Sequence, residues 1–68
     1  MSIFSERLKE LRMEKGISMT ELAKEIGVSA IAVSRWERGL QTPNIDYAVA
    51  IAKFFNVSAD YLLGLVDF

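Results

Sequence analysis

An all-α fold, a compact bundle of five short helices, is what this sequence of 68 residues predicts. Three observations predict it. Apolar residues recur three and four positions apart, the spacing of a helix face, and no stretch alternates with the period of two that a strand requires. Ser18, Ser29, Asn44 and Ser58 each head a periodic segment, where a side-chain oxygen can accept from the first unpaired backbone amides. Gly16, Gly27 and Gly39 close others, where a residue free to take a positive φ ends a helix. No repeat, linker or low-complexity segment interrupts the pattern, so residues 1–68 are expected to form a single domain with a short apolar tail at 64–68.

The elements follow in order. The first helix is expected from Ile3 to Lys15, with Phe4, Leu8 and Leu11 as its apolar stripe and its Lys and Glu residues as a solvated face carrying i, i+4 pairs. Ser18 with Glu21 three positions on makes a capping box for the second helix. There Leu22, Ala23 and Ile26 face a core, while Thr20, Glu21, Lys24 and Glu25 face water. Gly27, Val28 and Ser29 form a three-residue turn into a third helix, Ala30 to Arg38, which Gly39 stops. Two short helices joined this tightly, over about 18–38, must cross steeply. Residues 40–44 form a loop, Asn44 caps a fourth helix from Ile45 to Phe55, and Ser58 caps a short fifth helix through Leu63.

The third helix has two faces with different work to do. Val33, Trp36 and Glu37 lie on one side and Ala30, Ile31, Ser34, Arg35 and Arg38 on the other. Only the first looks like a core, and Trp36 reads as its anchor, because duplex DNA offers no exposed base face on which an indole can stack. On the outer face Arg35 can give a guanine two parallel hydrogen bonds, Ser34 can serve base or phosphate, and Ala30 and Ile31 can touch thymine methyl groups. That set can read a major groove.

The chain resembles the Cro/cI-type helix-turn-helix family, also called the XRE family, of small bacterial and phage repressors. The likeness runs over residues 3–63. It rests on Ala23 in the second helix, Gly27 in the turn, Val33 and Trp36 on the inward face, the run SRWERG from Ser34 to Gly39, and Pro43. The stretch IAKFFNVSADYLL, Ile51 to Leu63, resembles the family's fourth and fifth helices. The resemblance implies a five-helix, lambda-repressor-like DNA-binding domain with the third helix in the major groove. It implies base contacts from Ala30, Ile31, Ser34 and Arg35. It implies phosphate contacts from the start of the motif and the loop after the third helix, here Ser18, Met19, Thr20, Arg38, Gln41, Thr42 and Asn44. Many relatives carry Gln where this chain has Met19, and polar residues at Ala30 and Ile31. Specificity then leans on Arg35, methyl contacts and DNA shape, and Met19 contributes its backbone N–H rather than its side chain. Family members also commonly pair the residues matching Arg12 and Glu37, which implies a structural ion pair for an otherwise costly inward carboxylate; the alternative is that both are solvated.

Composition narrows the function. With no Cys and no His, disulfides, zinc fingers, thiol nucleophiles and histidine bases are all excluded, so neither an enzyme nor a metal or cofactor site is expected. No apolar run approaches the roughly 20 residues of a membrane span and no signal peptide precedes the domain, so the cytoplasm is the expected compartment. The net charge of −1 is not the basic footprint that a phosphate backbone attracts. Locally the balance differs: between Ser29 and Asn44 the charges are Arg35 and Arg38 against Glu37. Weak non-specific binding and dependence on a dimer are expected.

Adjacent Phe54 and Phe55 cannot both be buried equally, and the tail leaves Leu65, Val66 and Phe68 without a place in a helix. Phe54, Leu65, Val66 and Phe68 are therefore candidates for a homodimer interface; the alternative is a partly buried Phe54 and a frayed tail. Tyr47 and Tyr61 remain open between core, surface and interface. The expected function is a sequence-specific transcriptional regulator of double-stranded DNA, a repressor acting as a homodimer on a palindromic operator. Two alternatives stand beside it. One is an antitoxin or accessory protein whose apolar tail binds a protein partner, and the other a helical interaction domain without DNA binding.

Overall fold

Five helices arise in the order α1 (Ile3–Lys15), α2 (Met19–Ile26), α3 (Ala30–Glu37), α4 (Ile45–Phe55) and α5 (Ala59–Leu63), in a computed structural model that describes residues 3–68. The first two residues of the expected 1–68 domain lie outside the described residues. Each helix contributes one fully buried aliphatic side chain to a common centre: Leu8, Leu22, Val33, Ile51 and Leu62. Burying each contributes about 1.5–3 kcal/mol against leaving it in water. Phe4, Ala23, Trp36 and Ala52 complete the cluster, and Leu11, Ile26 and Phe55 pack on its edge. α1 lies against both α3 and α5, while α2 packs on α3 and α4. α1 therefore connects the helix expected to read DNA with the C-terminal end of the chain.

The ends of the helices are set locally. Ser18, Ser29, Asn44 and Ser58 accept from Glu21, Ala32, Tyr47 and Tyr61 backbone N–H groups at 2.9–3.1 Å. The Ser18 N–H in turn donates to Glu21 Oε1 at 3.0 Å, completing the capping box. Gly27 holds φ at 86°, and its N–H and that of Val28 both reach the Ala23 carbonyl, at 2.8 and 2.9 Å. This turn needs the left-handed region, which a side chain penalises. α4 ends without a glycine: Asn56 takes φ 56°, a role for which asparagine is the usual substitute. α3 stops at Glu37, one residue before the sequence-derived end. Arg38 becomes its C-cap, with its N–H still bonded to the Ser34 carbonyl.

One expectation for α1 is corrected. Its Lys and Glu residues are solvated, but the ion pairs among the described residues are Arg7–Asp67 and Arg12–Glu37, and none joins Lys to Glu along the helix. For pairs four residues apart, the register is the reason. Glu6, Glu10 and Glu14 follow one another at intervals of four, and Lys9 and Lys15 stand four residues from Met13 and Leu11.

The junction between α1 and the end of α5 is tight. Gly64 sits at φ 84°, and a Cβ placed there meets Ile3 Cγ2 at 2.7 Å. Gly64→Ala is expected to destabilise the fold by about 1–2 kcal/mol from left-handed backbone strain, and further from the clash. Thermal unfolding followed by circular dichroism measures it; a midpoint equal to that of the unsubstituted chain would contradict the contact. No helix among the described residues is long and apolar enough to cross a membrane.

Candidate nucleic-acid interface

The expected reading surface is assembled from the start of α2, the outer face of α3 and the loop between α3 and α4. At the start of α2 the capping box occupies the amides of Ser18 and Glu21. The amides of Met19 and Thr20, the first two of the helix, have no carbonyl one turn back to bond, so they carry the positive end of the helix dipole. Thr20 is exposed, whereas Met19 is half-buried and packs on the core. Met19 therefore offers its backbone outward while its side chain works inward.

α3 is locked by its inner face. Val33 is fully buried and Trp36 is 4% exposed, with the ring of Tyr47 6.0 Å from the indole. Tyr47, undecided from the sequence, is thus part of the support for α3. On the outer face Ile31 is 64% exposed and Arg35 is exposed. Ser34 is half-buried, and Ala30 is half-buried and packed on the core, so its methyl presents less surface than its place on the helix wheel suggests. Arg38, Gln41, Thr42 and Asn44 are all exposed. Asn44 spends its side-chain oxygen on the α4 cap, which leaves its amide N–H₂ for other partners.

Glu37 is buried at the inner end of α3, and Arg12 reaches it from α1 with two parallel hydrogen bonds. Nε donates to Oε2 at 2.6 Å and Nη2 to Oε1 at 3.0 Å. The hydrogen bond to Glu37, opposed by burial and reinforced by the carboxylate charge, holds the Arg12 guanidinium above its ordinary pKa. The pair removes the one acidic side chain from the stretch between Ser29 and Asn44, so what that stretch shows to solvent is Arg35 and Arg38. Glu6, Glu10, Glu14, Asp46, Asp60 and Asp67 are exposed elsewhere on the chain, while Glu21 and Glu25 are exposed on α2 and weaken the local field.

Of the residues expected at a dimer interface, Val66 and Phe68 line one groove, and Phe54 and Leu65 are not among its lining. Phe54 is half-buried, edge-on to Phe55 with ring centroids 5.0 Å apart, and Lys15 lies 5.1 Å above its ring. Val66 and Phe68 instead line a groove of about 590 Å³ with Leu11, Val57 and Tyr61. The tail is held rather than frayed, by a residue the sequence did not single out. Arg7 on α1 donates through Nη1 to the carbonyls of Tyr61 and of Val66, the latter at 2.7 Å, and lies 4.2 Å above the Tyr61 ring. Its Nη2 stands 3.8 Å from Asp67. The signal was present: Arg7 borders the Phe4–Leu8–Leu11 stripe, where a long cation must find a partner or bend out to water. Leu65 and Phe68 remain 71% and 89% exposed.

Comparison with known proteins agrees with this geometry. A family model described as helix-turn-helix matches residues 8–62. The transcriptional activator BcrR of Enterococcus faecalis is 42% identical over 61 residues, which are 90% of this chain and 30% of BcrR. Repressor protein C2 of Salmonella phage P22 is 38% identical over 61 residues, 90% of this chain and 28% of C2. This chain thus spans only part of the length of these curated relatives. Among solved structures, the P22 c2 repressor in complex with a synthetic operator superposes with a TM-score of 0.87 at 36% identity, covering 93% of this chain and 96% of that one. The N-terminal DNA-binding domain of SinR from Bacillus subtilis gives 0.82 at 39% identity, with 90% of both chains covered. Five helices with a tightly turned α2–α3 pair, a family match over most of the chain's length and neighbours among repressor domains place the chain together: it belongs to the helix-turn-helix family of the Cro/cI, or XRE, type.

Proposed function

We propose that residues 1–68 act as one sequence-specific DNA-binding unit, a non-enzymatic cytoplasmic regulator that represses transcription by occupying a palindromic operator as a homodimer. The observation that carries this reading is the asymmetry of α3. Val33, Trp36 and Glu37 anchor one face in the core, while Ile31 and Arg35 stand exposed on the other. Ile31, 64% exposed, offers apolar surface that contact with a thymine methyl would take out of water. Arg35 beside it supplies a fork for guanine O6 and N7. Ser34 and Ala30 lie at the margin of this contact, and the amides of Met19 and Thr20, with Ser18, Arg38, Gln41, Thr42 and Asn44, hold phosphates. The structural likeness to a repressor bound to an operator supports the same assignment.

The dimer is supported by size and by surface. The domain measures 28 × 23 × 21 Å, so two copies side by side can set their α3 helices one DNA turn apart, roughly 34 Å. Leu65 and Phe68, with Val66 beside them, supply exposed apolar surface for a second copy, and Phe54 lies at most at the margin. Changing Leu65, Val66 and Phe68 together to Ser is expected to convert a dimer to a monomer in sedimentation. An unchanged mass would remove the tail from the interface.

Selection of bound sequences from a random duplex library tests the function. Enrichment of a palindrome is expected, with affinity falling as salt rises by a log-log slope of about −0.9 per phosphate contact. No enrichment at low salt would leave the family fold without DNA reading.

A further inference from the structure

Arg12 makes more contacts than neutralising Glu37 requires. Beyond its two bonds to the carboxylate, its Nη1 donates to the Ile17 carbonyl at 2.9 Å, and its own carbonyl accepts from the Ile17 N–H at 3.3 Å. Both backbone polar groups of Ile17 are thus held by one residue of α1. Ile17 immediately precedes Ser18, the cap of α2, and Glu37 is the last residue of α3. One planar guanidinium therefore joins the entry to α2 and the end of α3, and its donors sit in a rigid fork that fixes the offset between the two attachments.

We propose that Arg12 is a positioning residue for operator recognition: it sets the phosphate-holding start of α2 at a fixed offset from the base-reading face of α3. This rests on the DNA-binding reading above. Phosphate contacts set register and orientation, base contacts supply selectivity, and both are made at once only if the two elements hold their spacing. A positive charge alone would satisfy Glu37. The third bond, which also satisfies a partly buried donor, goes to a backbone carbonyl one residue before the phosphate-facing turn and so ties that turn to the same guanidinium that holds Glu37.

The experiment compares operator with random duplex for the unsubstituted chain, for Arg12→Lys, and for the double variant Arg12→Met with Glu37→Met, all in their folded range by circular dichroism. The double variant removes opposite charges together, so no carboxylate is stranded and the net charge stays at −1. Affinity for random duplex, set by charge, is expected to stay the same, while affinity for the selected operator falls about tenfold or more, the worth of one base contact. Arg12→Lys keeps the charge but loses the fork, and the same fall in the operator-to-random ratio is expected. An unchanged ratio in the double variant overturns the proposal and leaves Arg12 as a counter-charge. If the double variant does not fold, the ratio for Arg12→Lys decides in the same way. A failure of the unsubstituted chain to select any operator appears before a variant is made and overturns the DNA-binding reading itself.

Discussion

Glu37→Ala is expected to cost about 3–5 kcal/mol of folding free energy, because it leaves the Arg12 guanidinium facing a space that no longer holds a charge. The carboxylate is 3% exposed and takes two hydrogen bonds at 2.6 and 3.0 Å from a side chain that is itself only 13% exposed. Removing it breaks both bonds and opens a void at a buried position in the same step. A 68-residue domain has about 3–10 kcal/mol of stability in all, at roughly 0.05–0.15 kcal/mol per residue. The variant is therefore expected to melt about 12–40 °C lower, or to be largely unfolded at room temperature. Since folding raises the Arg12 pKa, the guanidinium's own proton-linked contribution is complete below its unfolded-chain pKa and is lost as pH rises through the folded value, in strong alkali. An unchanged melting midpoint would mean that water, not Glu37, solvates Arg12.

Arg35→Ala is expected to abolish most operator affinity while leaving the melting curve in place. The side chain is exposed, and the group of Arg35 used by the fold outside its helix is its carbonyl, which accepts from Leu40 N–H at 3.0 Å and survives truncation. A bidentate contact to guanine is worth about 1–3 kcal/mol, and a twofold complex makes it twice, so affinity for the operator falls by about 30-fold to about 10⁴-fold. If Arg35 contacts a base, the salt slope changes little, whereas a phosphate contact would lower its magnitude by about 0.9 per site. Equal losses on operator and random duplex would therefore assign Arg35 to the backbone instead.

Much of this fold was legible because its punctuation is chemical. The boundaries of α1, α4 and α5 coincide with those read from caps, glycines and apolar spacing, and Ser18 with Glu21 fixes the start of α2. What escaped was long-range. Arg7 bonds residues 54 and 59 positions away, and no local pattern tells a cation which carbonyl it will reach. The partial burial of Ala30 and Ser34 depends on how α3 lies against its neighbours, which a helix wheel does not encode. Local spacing misled for the charges of α1, where acidic residues recur at intervals of four and put no lysine four residues from a glutamate.

The account turns on which face of the molecule meets DNA, and titration of the isotopically labelled protein with its selected duplex, followed through backbone amide shifts, tests that most directly. Shifts are expected to concentrate at Met19 and Thr20, along Ala30 to Arg35, and from Gln41 to Asn44. Shifts concentrated instead on Leu11, Tyr61 and the tail, with α3 unmoved, would contradict the account.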